Sequence, residues 1–194
     1  MKSVFLDIDT QLDFLYPAGA LYVPGAERKV AAIARLNHFA AAQGIPVIST
    51  VDAHAEDDPE FAEWPPHCVL GTTGQHKAAA TLLGRRVAIP NRACDLALDG
   101  VEQIVLEKQT VDAFQAPNLA RVIERLGADR FVVYGVVTEI CVLHAVRGLV
   151  KTGKPVQVAT DAIEALNAEG SRRALDEMRD AGAELITVSD ICGA

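Results

Sequence analysis

Residues 130–146, RFVVYGVVTEICVLHAV, pass without a break from an apolar, β-branched run into a helical pattern. The first seven residues are nearly all apolar, as in a strand buried on both faces of a parallel sheet. Cys141 follows, with four residues between it and the end of that run. Working outward in both directions, runs of the same kind recur: SVFLDI (3–8), PVISTV (46–51), QIVLEK (103–108), PVQVAT (155–160) and ELITV (184–188). Amphipathic stretches separate them at 25–43, 117–126, 138–152 and 168–181. Gly44, Gly127, Gly153 and Gly182 stand where helix C-caps belong. Strand–helix alternation with short connections predicts a three-layer α/β/α sandwich around a mostly parallel sheet of about six strands.

The bulk properties agree with this reading. The 194 residues fit a single domain spanning 1–194, and half of them are apolar, enough for a sizeable core. A formal net charge of -8 argues against nucleic acid as a partner, because polyanion binders carry a basic face. The opening residues MKSVFLDIDT form neither a signal peptide nor a membrane span, so a cytoplasmic protein is expected. Cys68, Cys94, Cys141 and Cys192 are scattered, with no CxxC pair, and read as free thiols. Only 54–100 breaks the pattern. It is irregular, rich in Pro, Gly and charge, and too long for a simple crossover, so it is expected to carry function.

Open parallel sheets bind ligands outside the carboxyl ends of their strands. Asp9 closes the first run, Asp52 and His54 the second, and Lys108 the run at 103–108, while Cys141 follows the run at 130–136. All the chemically capable groups therefore fall at one edge. Cys141 sits near a predicted helix N-terminus, where free backbone amides and the helix dipole favour a thiolate and lower its pKa. The same amides could hold an oxyanion. His144 is an obvious partner by sequence, but i and i+3 on one helix do not aim at one point, and a core or interface histidine is the better reading. Asp9 and Lys108, read as coming from neighbouring strands, can converge on the thiol as proton acceptor and cation. Taken singly, each is more often a strand-end ion pair.

The stretch VDAHAEDDPEFAEWPPHC (51–68) adds a second constellation. Asp52 and His54 are i, i+2 at a strand end and can share a face. His67 follows Trp64-Pro65-Pro66, a rigid approach that fixes where its imidazole points. One carboxylate and two imidazoles suit one divalent ion, Zn first, with Fe or Mn possible, and leave positions open for water or substrate.

DIDTQLDF, VDAH…WPPHC, EKQTVDAF and GVVTEICV together resemble the signatures of the nicotinamidase-related branch of the isochorismatase-like cysteine hydrolases, in that family's order and over nearly the whole chain. The resemblance implies an isochorismatase-like, Rossmann-like sandwich and a catalytic triad at Asp9, Lys108 and Cys141. It also implies a cis peptide at Val136–Val137 and an oxyanion hole from the amides of Val137 and Cys141. DxH followed by WPxHC is similar to the metal site of nicotinamidases, and Glu60 holds the place of a fourth ligand found in some relatives. The implied activity is metal-containing amide hydrolysis through a thioester, with nicotinamide and water giving nicotinate and ammonia as in pyridine nucleotide salvage. Phe14 and Trp64 would wall a flat ring, with Gln11 and Asp13 shaping the site from behind. The expected partners are a small carboxamide and further copies of the chain, with neither nucleic acid nor membrane. Residues 109–123, QTVDAFQAPNLARVI, are more compact than in many nicotinamidases and closer to generic amidases of the superfamily. An amidase for another small carboxamide, or a non-catalytic metal- or ligand-binding module, are the alternatives.

Overall fold

The computed structural model describes residues 2–193. Seven strands form one sheet: β1 (Ser3–Ile8), β2 (Val47–Asp52), β3 (Arg86–Ile89), β4 (Gln103–Lys108), β5 (Arg130–Val136), β6 (Val156–Glu164) and β7 (Glu184–Ile186). Every pairing is parallel, in the order β3-β4-β2-β1-β5-β6-β7. The additional strand is β3, a four-residue edge strand that opens on Arg86 and buries only Ile89. Its run is too short and too polar at its start to show hydrophobic periodicity, which is common for an edge.

The helices are α1 (Leu12–Leu15), α2 (Val30–Ala42), α3 (Leu119–Leu126), α4 (Leu143–Val150), α5 (Ala168–Asp180) and α6 (Val188–Cys192). From β1 the chain crosses through α2 to β2 on one side, then returns through α3 to β5 on the other side of β1. Right-handed crossovers in opposite directions place their helices on opposite faces. Accordingly α2 packs with α6 on one face, while α4 packs with α5 on the other and meets α3 through the turn Ala113–Gln115. Among the described residues, no helix is long and apolar enough to cross a membrane.

The main core lies between these layers, with Phe5, Ile48, Leu106, Phe131 and Tyr134 sealed inside it. A smaller apolar cluster, containing Phe14, Leu15, Val23, Cys68 and Val137, lies apart from it. The direction of winding reverses between β1 and β5, and a ligand crevice opens at such a point. Gly135 lets these two strands close there: its φ is +116°, and a Cβ on it would fall 2.1 Å from the Ile8 carbonyl oxygen. Asp9 and Cys141 follow the two strands that flank the reversal. Asp9 and Lys108 do not come from neighbouring strands. β2 lies between β1 and β4, and its last residue, Asp52, is in register with Lys108.

Candidate active site and metal centre

Lys108 is the hub. Its ammonium is buried, 3.0 Å from Asp9 Oδ2 and 3.8 Å from Cys141 Sγ, and it donates to Asp52 Oδ1. Asp9 occupies the left-handed region at φ +49°, a strained backbone of the kind that surrounding structure must impose. Its Oδ1 accepts from the Thr50 hydroxyl at 2.7 Å. Its Oδ2 is buried and faces the Lys108 ammonium, with no other donor on it among the described residues. Burial disfavours the ammonium of Lys108, but Asp52 and Asp9 outweigh it and hold its pKa well above the ordinary lysine value. For Asp9, burial raises the pKa and Lys108 opposes that, with a further rise from the neighbouring Asp52.

Cys141 departs from the expectation of a lowered pKa. It lies in a wide turn, Thr138–Val142, just ahead of α4, and it is buried. Burial pushes its thiol well above the ordinary cysteine value, although Lys108 pulls the other way. Desolvation outweighs the favourable amides here, so the resting group is a thiol rather than a thiolate. The Val136–Val137 peptide is cis, and the Val137 carbonyl accepts from the amides of Ile140 and Val142, both at 3.1 Å. His144 is half-buried in a separate shallow groove beside Asp112 and Arg147.

Beside the hub, ligating atoms of Asp52, His54 and His67 lie within 4.8 Å of one another, and all three residues are buried. Asp52 divides its carboxylate between two tasks. Oδ1 takes the Lys108 ammonium, while Oδ2 lies 3.9 Å from His54 Nε2 and 3.7 Å from His67 Nε2. The far nitrogen of each ring is also placed: His67 Nδ1 meets the Pro65 carbonyl at 2.8 Å, and His54 Nδ1 is 3.0 Å from Asp58 Oδ2. Outer contacts of this kind fix which imidazole nitrogen faces a metal. Both ring nitrogens of His54 are buried with no aligned hydrogen-bond partner among the described residues, a cost that a metal ion would remove at Nε2. Burial works against the Asp52 anion, yet Lys108 and the two imidazoles keep its pKa well below the carboxylate range. The donor set therefore fits a divalent ion. Glu60 stands outside the cluster, on the wall of the adjoining cavity.

Gln11 braces Asp52 from behind. Its amide donates to the Asp52 carbonyl at 2.8 Å and accepts from the Asp52 amide at 2.6 Å. Cys141, Val137, Asp52 and His67 open onto one cleft, which Phe14 and Trp64 also line. Leu21, Val23, Val111, Ile140 and Leu166 complete it. These five were not readable in advance, since each is an apolar residue of an ordinary kind that only the tertiary fold aims at the site. The cleft encloses only about 40 Å³. A larger cavity of about 910 Å³ lies at the opposite edge of the sheet, beside Lys2, Gln43 and Arg130, away from all of this chemistry.

The isochorismatase domain model matches residues 3–79 and 91–190. The chain belongs to the isochorismatase family. It is 31% identical over 199 residues to a nicotinamidase/pyrazinamidase of Mycobacterium tuberculosis, covering 97% of this chain and 100% of the relative. Among solved structures, the pyrazinamidase of Pyrococcus horikoshii in complex with zinc superposes with a TM-score of 0.80 at 25% identity, covering 96% of this chain and 99% of the other. The N-carbamoylsarcosine amidase of Thermoplasma acidophilum also has a TM-score of 0.80, at 23% identity and 97% coverage of both chains, a likeness of fold alone. One isochorismatase-family fold thus carries differently named amidases, and the site has to select the substrate.

Proposed function

We propose that this isochorismatase-family amide hydrolase is a nicotinamidase, converting nicotinamide and water to nicotinate and ammonia. One observation carries the reading: Lys108 brings buried Asp9 together with Cys141, and Cys141 opens onto the same cleft that Asp52 and His67 line. Curated and structural relatives named for nicotinamide and pyrazinamide support it.

In this mechanism Asp9 Oδ2, which meets no donor but the Lys108 ammonium, takes the thiol proton as substrate arrives, and that ammonium holds the resulting thiolate. Sγ attacks the carboxamide carbon, and the amides of Val137 and Cys141 receive the developing oxyanion. Asp9 returns the proton to the departing ammonia, leaving a thioester. It then accepts a proton from the water that cleaves the thioester and releases nicotinate. Asp52, His54 and His67 would hold the divalent ion, zinc first, with Glu60 as a more distant candidate on the cleft wall. A bound ion would supply a coordination position for the pyridine nitrogen. Phe14 and Trp64 sandwich the ring, and the narrow cleft means these walls part on binding, with half-exposed Leu166 at the rim.

The test is ammonia release from nicotinamide, pyrazinamide and benzamide by metal-loaded enzyme. Benzamide has the same carboxamide and shape but no ring nitrogen, so its kcat/KM should be lower by roughly a hundredfold. Equal values for benzamide and nicotinamide would favour an amidase for another small carboxamide. The compact segment after Lys108, which gives the cleft only Val111, is the feature that supports that second reading.

A further inference from the structure

We propose that Asp13 is a positioning residue for the metal ligand His67, an inference that rests on the metal site proposed above. Asp13 is buried, and hydrogen bonds tie it to three separate segments. Its Oδ2 accepts from the Cys68 amide at 2.7 Å and its Oδ1 from the Ala20 amide at 2.9 Å. Its own amide donates to the Gly74 carbonyl at 3.1 Å, and its carbonyl accepts from the Leu21 amide at 3.2 Å. The Cys68 contact is the informative one. That amide belongs to the peptide joining His67 to Cys68, so the carboxylate fixes the plane from which the His67 side chain departs. Cys68 sits at φ +46°, a conformation an L-residue adopts only when held. With the peptide fixed there and Nδ1 on the Pro65 carbonyl, His67 Nε2 is left facing Asp52.

Gly74 is the second half of the device. A Cβ on it would lie 2.2 Å from the Asp13 carboxylate, so the absent side chain is the space the carboxylate occupies. Two substitutions on different segments therefore attack one contact. Asp13→Asn keeps the volume but offers one acceptor and an NH₂ to two amide donors. Gly74→Ala keeps Asp13 and pushes it off Cys68. Loss of a group that orients a metal-bound imidazole typically weakens the metal by about 10–100-fold.

The experiment is zinc affinity by competition with a chromogenic chelator. In parallel, the rate of iodoacetamide labelling at Cys141 in metal-free protein reports on the triad. Both variants should lose about 10–100-fold in zinc affinity while labelling at Cys141 stays within about twofold. If the wild type binds zinc and both variants bind it equally well, this proposal fails alone. If labelling at Cys141 changes as much as zinc affinity does, Asp13 supports the site as a whole and the proposal fails. If the wild type takes up no zinc, the metal reading itself fails and this proposal goes with it. Should Asp13→Asn not fold, Gly74→Ala carries the same test.

Discussion

Two buried lysines bracket β1, and they are made from the same parts to different ends. Lys77 lies 2.5 Å from Asp7 Oδ2 and donates to the Thr10 hydroxyl. Asp7 also accepts from Thr10 at 2.8 Å, Asn37 at 2.8 Å and Ser49 at 3.2 Å, and Asn37 is held in turn by the Tyr134 hydroxyl at 2.6 Å. One anion meets one cation, and none of these side chains has a buried polar atom without a partner. Lys108 instead faces two carboxylates, Asp9 Oδ2 meets no donor but that ammonium, and both ring nitrogens of nearby His54 have no aligned partner among the described residues. The first cluster is complete in itself. The second carries one negative charge too many and opens onto a cleft, so it calls for a proton and a cation from outside. A buried ion cluster reveals chemistry by what it leaves unsatisfied, not by its being buried.

The contrast breaks most visibly through activity. Cys141→Ala should remove hydrolysis, with a fall of about a thousandfold or more, while zinc content and far-ultraviolet circular dichroism stay those of the wild type. Lys108→Met should lower kcat on the same order, since it strips the thiolate of its cation and leaves Asp9 and Asp52 facing each other. A Cys141→Ala enzyme of full activity would dispose of the covalent mechanism.

Lys77→Met should behave in the opposite way. It strands the Asp7 carboxylate in the interior, and breaking a buried pair from one side destabilises by about 3–5 kcal/mol. Denaturant titration should show that loss, yet the protein that remains folded at low temperature should keep kcat within about tenfold. Asp7→Asn strands Lys77 and should fall in the same range. A kcat loss in Lys77→Met as deep as in Lys108→Met would mean that the two clusters are one working unit.

Much of this was legible because strands buried on both faces announce themselves. SVFLDI, QIVLEK and RFVVYGV coincide with β1, β4 and β5 residue for residue, and the edge rule then places Asp9, Asp52, Lys108 and Cys141 together. The Asp52–His54–His67 cluster was legible for a local reason, an i, i+2 pair at a strand end and a histidine behind two prolines. What stayed hidden depends on tertiary context. β3 is short and buries only Ile89, so no periodicity marks it. The strand order that inserts β2 between Asp9 and Lys108 is set by crossovers, not by any run of residues. The pKa of Cys141 went the other way because helix position can be read from sequence, while the depth of burial that outweighs it cannot. The Asp7–Lys77 network was invisible for the same reason: Lys77 lies in the irregular segment and reads as a surface lysine until the fold buries it.

The smallest expected effect is also the one whose sign discriminates best. Burial raises the Asp9 pKa above its ordinary value, and Lys108 only partly offsets this because Asp52 shares it. The folded state therefore holds a proton on Asp9 at pH values where the unfolded chain has released it. A group of that kind makes stability fall as pH rises, from about pH 4, its unfolded pKa, up to its folded one. Wherever it is ionised, Asp9 is then a net burden on the fold, as a group kept for the proposed proton transfer would be. Asp9→Asn has the same shape without the charge, and Lys108 keeps Asp52 as its partner. In chelator-treated protein the variant should be inactive but more stable at pH 7, by about 1 kcal/mol, the usual scale of a function-for-stability exchange. Its stability should also change less than the wild type's above pH 4. Two positions earlier on the same chain, Asp7→Asn has the opposite sign. If Asp9→Asn proved less stable than the wild type at pH 7, Asp9 would belong with Asp7 as a structural carboxylate, and the proton acceptor for Cys141 would have to be sought elsewhere.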